Sequence, residues 1–298
     1  MPLDNGTLRA NAWPRERPTP FHLTIIMPEL PEVETTRRGI EAHVSGARVS
    51  EVNVRRADLR QEVSASLGDI AGQRITGVRR RAKYLLLDIA DGSSVLMHLG
   101  MSGNLRLVAP NEEWKKHDHL AITLGRRLQL RFHDPRRFGL VLHLAAGEEL
   151  THPLLRDLGP EPLEEHFTTE HLKNSCVKRA AAIKLVVMDS HVVVGVGNIY
   201  ASEALFRAGI LPHTAARGLS LVRVAKLVPA IRAVLTEAIA AGGTTLRDFR
   251  HSDGKPGYFS QSLHVYGRKD APCHVCGAAV RHEVLGQRAT YWCPQCQR

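Results

Sequence analysis

The sequence runs to 298 residues, 43% hydrophobic and 23% charged; that is enough for two domains, each with its own core, and too apolar for a disordered chain. Its 40 Lys and Arg against 30 Asp and Glu leave a net charge of +10, which favours a polyanionic partner because each neutralised phosphate releases condensed counterions. No run approaches the ~18 apolar residues that cross a bilayer, and no long basic amphipathic helix stands out, so nucleic acid comes before membrane as the partner.

Residues 1–26 hold Pro14, Pro18 and Pro20, scattered charges and no apolar signal core, and read as disordered or spurious. From Glu29 to Val44 the residues Leu30, Val33, Ile40 and Val44 recur at helical spacing, with acids first and Arg37 and Arg38 later, as the helix dipole prefers. β-formers then cluster at Arg74–Val78, Tyr84–Ile89, Ser94–Leu99, Asn104–Val108, Leu120–Leu124 and Leu128–Phe132, with Asp91-Gly92 and Gly125-Arg126 where hairpin turns belong. This spacing predicts an antiparallel β-sandwich, with the first helix covering one edge.

After the Gly159-Pro160-Glu161-Pro162 breaker the period becomes helical, through Thr169–Cys176, Asn198–Ala208 and Ser220–Ala241, with stops at Gly209 and Gly242-Gly243. Pro229 lies inside the longest of these segments and should kink that helix or split it in two. A Gly-rich polar stretch from Asp248 to Gln261 reads as a mobile loop.

Near the C-terminus, Cys273-x2-Cys276 and Cys293-x2-Cys296 place four thiolates in two knuckles, the arrangement that closes a tetrahedral Zn²⁺ shell. An all-sulfur shell leaves no open coordination position, so one structural zinc should organise a small hairpin and not activate water. Cys176 is left over and reads as a buried thiol without chemistry. Arg288, between the knuckles, could clamp a phosphate from the hairpin tip or simply lie solvated on the surface.

Met27-Pro28-Glu29-Leu30-Pro31-Glu32-Val33-Glu34 changes the reading. Together with Arg79-Arg80-Arg81-Ala82-Lys83-Tyr84, His98-Leu99-Gly100-Met101-Ser102-Gly103, Asp134-Pro135-Arg136-Arg137-Phe138-Gly139, Gly195-Val196-Gly197-Asn198-Ile199-Tyr200 and the cysteine module, it closely resembles the bacterial formamidopyrimidine-DNA glycosylases, from residue 27 to the C-terminus. The resemblance implies an α+β, multidomain fold: residues 1–26 an extension, 27–157 a catalytic β-sandwich domain with flanking helices, 158–262 a helix–two-turn–helix DNA-binding domain with a mobile loop, and 263–298 a four-cysteine zinc-finger β-hairpin. It implies a cytoplasmic, monomeric bacterial base-excision-repair enzyme acting on double-stranded DNA that contains oxidised purines or abasic sites.

In that family Met is removed and Pro becomes the N-terminus, so Pro28 would present a secondary amine of unperturbed pKa about 8 as nucleophile. Attack on C1′ yields an iminium ion that acidifies the 2′ proton, so β-elimination follows, and the resemblance implies δ-elimination after it. Glu29 is carried over as the acid that protonates the sugar ring oxygen, or else is only a helix N-terminal acid. Lys83 is carried over as a phosphate contact and proton donor in β-elimination; without the resemblance it is an edge-strand charge.

Met101, Arg136 and Phe138 match the family's triad that fills the hole left by the extruded base, a task that suits apolar wedges and a stacking guanidinium. Phosphate contacts carry over onto His117, Arg179, Lys184, Asn198 and Arg288, the last also linked to δ-elimination. The turn at Gly195–Asn198 would offer backbone amides at the next helix N-terminus to a DNA phosphate. Two departures stand out: Arg247 stands where some members carry Lys, and residues 1–26 would hold the Pro28 nitrogen in a peptide bond with its lone pair delocalised. Translation is therefore expected to start at Met27, or the extension to be removed. The rival readings are an endonuclease VIII-like enzyme for oxidised pyrimidines and a non-catalytic zinc-ribbon DNA-binding protein.

Overall fold

The structure, a computed structural model, describes residues 28–243 and 262–298. Residues 1–26, Arg247 and the Asp248–Gln261 stretch fall outside the described residues. Helix α1 (Leu30–Val44) opens the chain, and its apolar stripe of Val33, Ile40 and Val44 is buried. The eight following strands all pair antiparallel, in two four-stranded sheets that β1 and β8 join by pairing with strands far away in the chain. One holds β1 (Val49–Val54), β6 (Asp118–Leu124), β7 (Leu128–His133) and β5 (Asn104–Val108) in that order; the other holds β2 (Ile75–Arg81), β3 (Tyr84–Ile89), β4 (Ser94–His98) and β8 (Leu140–Leu144).

The two sheets face each other across one core, with Ile122, Leu130 and Phe132 from the first meeting Leu85, Leu87, Val95 and Met97 from the second. Strand β3 alternates as a sandwich strand should, but Leu86 on its other face is also buried, with Leu96, Leu140, Leu144 and Leu155. The segment after β8 thus covers the outer face, and β4 is buried at every position. Helix α1 packs on the edge strand β2, as expected, and also against α5 (Leu221–Ala240), so it bridges the sandwich and the helical half.

That half contains α2 (Thr169–Cys176), α3 (Ile183–Val187), α4 (Asn198–Arg207) and α5. The expected break at Pro229 does not occur: α5 runs unbroken for 20 residues. Pro229 and Ala225, whose carbonyl loses its usual donor, both lie on the exposed face. Val224, Leu227, Val228, Ile231, Val234 and Leu235 meanwhile hold the other face in the core. The C-terminal hairpin, β9 (Arg281–Leu285) with β10 (Arg288–Trp292), shares that core through Val280, Tyr291 and Cys293. Cys176 is fully buried there too.

Candidate active site

A cavity of about 490 Å³ lies where the N-terminus of α1, the β2–β3 turn, the loop before α4 and the tip of the zinc hairpin meet; Glu29, Lys83, Met101, Asn198 and Arg288 all line it. Pro28 is buried immediately before Glu29. Glu29 caps α1, and its own amide donates to Glu32 Oε2 at 2.9 Å, half of the reciprocal pattern of a capping box. Its carboxylate turns the other way, to the N-terminus of α4, accepting from the backbone amides of Gly197 at 2.8 Å, Ile199 at 2.9 Å and Tyr200 at 3.4 Å. The amides expected to hold a DNA phosphate are therefore occupied by Glu29. A helix N-terminus favours an anion, and this one is supplied by the protein itself. Gly197 has no room for a side chain, since a Cβ there would sit 2.2 Å from the Glu29 carboxyl carbon.

Burial pushes the Glu29 carboxyl up from its ordinary value, against the opposing pull of Lys83 and the three amides. Burial likewise pushes the Lys83 amine down, opposed by Glu29 and Glu32 and reinforced by Arg288. Lys83 is not the edge-strand charge that alternation suggests: Arg81 pairs with Tyr84, leaving Ala82-Lys83 as a two-residue hairpin loop that carries the lysine to the cavity wall.

His98, Tyr266 and Met188 are among the cavity residues that escaped sequence reasoning. His98, at the end of β4, accepts from the Gly100 amide through Nδ1 at 3.0 Å, which assigns the proton of the neutral ring to Nε2. Burial first, then Lys83 and Arg60, push His98 down to about 4. Tyr266 reaches Asn198 Nδ2 with its hydroxyl at 3.3 Å, and Met188 adds apolar wall. Each is an ordinary residue in its own segment. Only His98 stood inside a motif already singled out.

The base-filling candidates sit on two loops that touch. Met101 lines the cavity, while the Arg136 guanidinium lies 5.0 Å from the centre of the Phe138 ring, which is 43% exposed and free to enter a partner. Buried Asp134 joins the loops, accepting from Ser102 Oγ at 2.8 Å and the Gly139 amide at 2.8 Å. Gly100, at φ +65, approaches the Phe138–Gly139 backbone so closely that a Cβ would lie 2.4 Å from it, so both backbones must stay bare at this crossing.

The remaining predicted contacts are dispersed. His117 lines a separate basic pocket with Arg55, Arg56, Lys116 and Arg137. Arg179 pairs with Asp189 at 2.6 Å. Lys184 is fully buried, its Nζ donating to the Ala289 carbonyl at 2.9 Å and Thr290 Oγ1 at 2.8 Å, so it fastens α3 to the zinc hairpin. Burial pushes its pKa down to about 7.

The four cysteine sulfurs lie within 4.8 Å of one another, with Cys273 and Cys296 3.9 Å apart and Cys276 and Cys293 3.4 Å apart. A tetrahedron with Zn–S near 2.3 Å has edges of about 3.8 Å, so Cys273, Cys276, Cys293 and Cys296 fit one structural zinc ion.

A β-sandwich, a helical half and a zinc hairpin that converge on an acid, an amine and a wedge of exposed side chains define a base-extruding, DNA-acting class of enzyme. Comparison with known sequences agrees: residues 27–141 match the formamidopyrimidine-DNA glycosylase N-terminal domain, 158–250 the H2TH domain of the same enzymes, and 271–298 the zinc finger found in FPG and IleRS. The formamidopyrimidine-DNA glycosylase of Methylococcus capsulatus is 54% identical over 273 residues, covering 91% of this chain and 100% of that one. Among solved structures, the Lactococcus lactis Fpg with abasic-site DNA superposes at a TM-score of 0.84 and 32% identity, covering 91% of this chain and 99% of that one. The same enzyme with Fapy-dG DNA gives 0.83 and 31%, covering 91% and 100%. The chain belongs to the formamidopyrimidine-DNA glycosylase family.

Proposed function

We propose that this chain excises oxidised purines from duplex DNA in base-excision repair and then cuts the strand as an abasic-site lyase, with Pro28 as the nucleophile. The observation that carries the reading is the pairing, in one cavity, of an acid held toward its protonated form with an amine held toward its neutral form, directly beside Pro28. The Pro28 nitrogen forms a bond to C1′ while the damaged base departs with its bonding electrons and a proton, and Glu29 protonates the ring oxygen as the sugar opens. Loss of the 2′ proton from the resulting iminium expels the 3′ phosphate, and loss of a 4′ proton expels the 5′ phosphate. Lys83 hands on protons during elimination, and Arg288 meets the phosphate beside it.

Met101, Arg136 and Phe138 take the volume of the extruded nucleotide. Asn198 and His117 contact phosphates, and Arg179 joins them once its pair with Asp189 opens. Lys184 acts through the hairpin it anchors. The zinc ion, held by Cys273, Cys276, Cys293 and Cys296, supplies rigidity to that hairpin and no chemistry. The amine requires a chain that begins at Pro28, so translation from Met27 or removal of residues 1–26, followed in either case by loss of Met27, precedes activity. The boundaries 27–157, 158–262 and 263–298, a monomeric state and a bacterial cytoplasmic location belong to the same proposal. No described helix is long and apolar enough to cross a membrane.

Parallel assays on duplexes carrying 8-oxoguanine opposite cytosine or thymine glycol test this reading in protein that begins at Pro28. The purine lesion is expected to be released faster. Preference for thymine glycol would move the chain to the endonuclease VIII-like reading, and binding without release of either base would move it to a non-catalytic zinc-ribbon protein.

A further inference from the structure

Ala82 stands at φ +55, a backbone region that favours glycine, at the first position of the two-residue turn that presents Lys83. No glycine is there. Instead the Ala82 amide donates to Glu161 Oε1 at 2.7 Å. Glu161 lies in the segment that enters the helical half and is 6% exposed. The same carboxylate accepts from Arg80 Nη1 at 2.6 Å and Arg81 Nη1 at 3.1 Å, so it grips the end of β2 on three sides. Arg81 closes the grip by donating to the carbonyls of Leu158 at 2.9 Å and Gly159 at 2.7 Å.

Two further links make this carboxylate a junction. Arg80 also donates to Glu34 Oε2 at 3.1 Å, which ties it to α1 and so to the element that carries Pro28 and Glu29. Behind Glu161, the Pro160 carbonyl accepts from the Val194 amide at 3.1 Å, and the next residue, Gly195, accepts from the Leu30 amide at 3.1 Å. The turn with Lys83, the start of α1 and the loop before α4 are all referenced to one buried acid.

We infer that Glu161 is a positioning residue for strand scission, holding Ala82 in its left-handed conformation so that Lys83 projects into the cavity beside Glu29. This inference rests on the reading of Lys83 as an elimination residue. Glu161 touches no reacting atom; it acts on the direction in which the lysine leaves the turn. An alanine released from the grip relaxes toward negative φ, which swings the following side chain away.

Single-turnover cleavage of an abasic-site duplex by protein that begins at Pro28, with thermal melting and duplex binding measured alongside, tests the inference. Glu161→Ala is expected to slow cleavage about tenfold or more, and Glu161→Gln about fivefold, as misplacement of a catalytic group by a fraction of an ångström does, with duplex affinity held within about threefold. Adding Ala82→Gly to either variant is expected to bring cleavage back to within about threefold of the Ala82→Gly protein. In a Lys83→Ala background, loss of the Glu161 carboxylate is expected to add less than about twofold, because the two changes act on one step. Wild-type rates in both Glu161 variants, failure of glycine to rescue a folded variant, or a full Glu161 effect without Lys83 would each overturn the positioning role. Glu161→Gln serves if Glu161→Ala does not fold. Wild-type cleavage by Lys83→Ala would instead remove the reading of Lys83 itself.

Discussion

Burial acts in opposite directions on the buried ionisable residues, raising Glu29 and lowering Lys83 in the cavity and Lys184 behind the zinc hairpin. Lys184 offers a measurable consequence. Its amine takes up a proton near 10.5 in the unfolded chain and near about 7 in the folded one. Between those values the unfolded state binds more protons, so stability rises with pH across that window and the burial penalty is full below it. Lys184→Met has no such slope. The melting temperature of the variant minus that of the wild type is expected to fall steadily as pH is raised from about 7 toward 10.5; a difference that does not change with pH would contradict a neutral buried amine. At this scale Pro28, Glu29 and Lys83 were legible because they stand in strings whose order is distinctive. Tyr266, Met188 and Glu161 were not, since each is chemically plain in its own segment and gains meaning only from residues far away in the chain. Glu29 was legible in identity but not in its seating, because nothing in the sequence says that its carboxylate occupies the amides of α4.

The zinc hairpin shows how an element can depend on its ion and on its neighbours together. β9 and β10 are five residues each, and β9 has no buried residue, too little to be stable alone. Val280, Tyr291 and Cys293 are nevertheless part of the helical core. Removing zinc with a chelator, or replacing Cys273 with serine, is expected to release the hairpin with its Arg288 tip and to expose that face of the core. The melting temperature should drop by about 5 °C or more, with weaker duplex binding. An unchanged melting curve after verified zinc loss would show that packing alone holds the hairpin. Periodicity found α1, α2 and α5 through their buried stripes, and α4, buried along Ile199–Phe206, through its apolar run and the Gly209 stop. It missed β1, whose VSEVNV run is mostly exposed at a sheet edge, and β8, which lies just after the wedge motif. It also missed α3, at five residues too short for a helical period. Pro229 does not split α5 because its cost depends on which face it occupies, and α5 turns it to solvent.

For the whole molecule, the change from β-formers to helical spacing after Gly159 and the paired cysteines revealed the order of the parts, and the charge of +10 fitted a polyanionic partner. The meeting point of those parts was not legible. It is built by α1 bridging the sandwich and the helical half, by the Gly195 carbonyl that holds Leu30, and by Glu161 reaching the β2–β3 turn. The enzymatic account of this assembly depends on a free amine at Pro28. Borohydride reduction of the protein on abasic-site duplex, followed by mass mapping of the linked peptide, measures that directly, because only an imine is reduced to a stable adduct. The prediction is an adduct on the Pro28 nitrogen for the chain that begins at Pro28 and none for the chain that retains residues 1–27. Equal trapping by the longer chain, or linkage through Lys83 in place of Pro28, would contradict it.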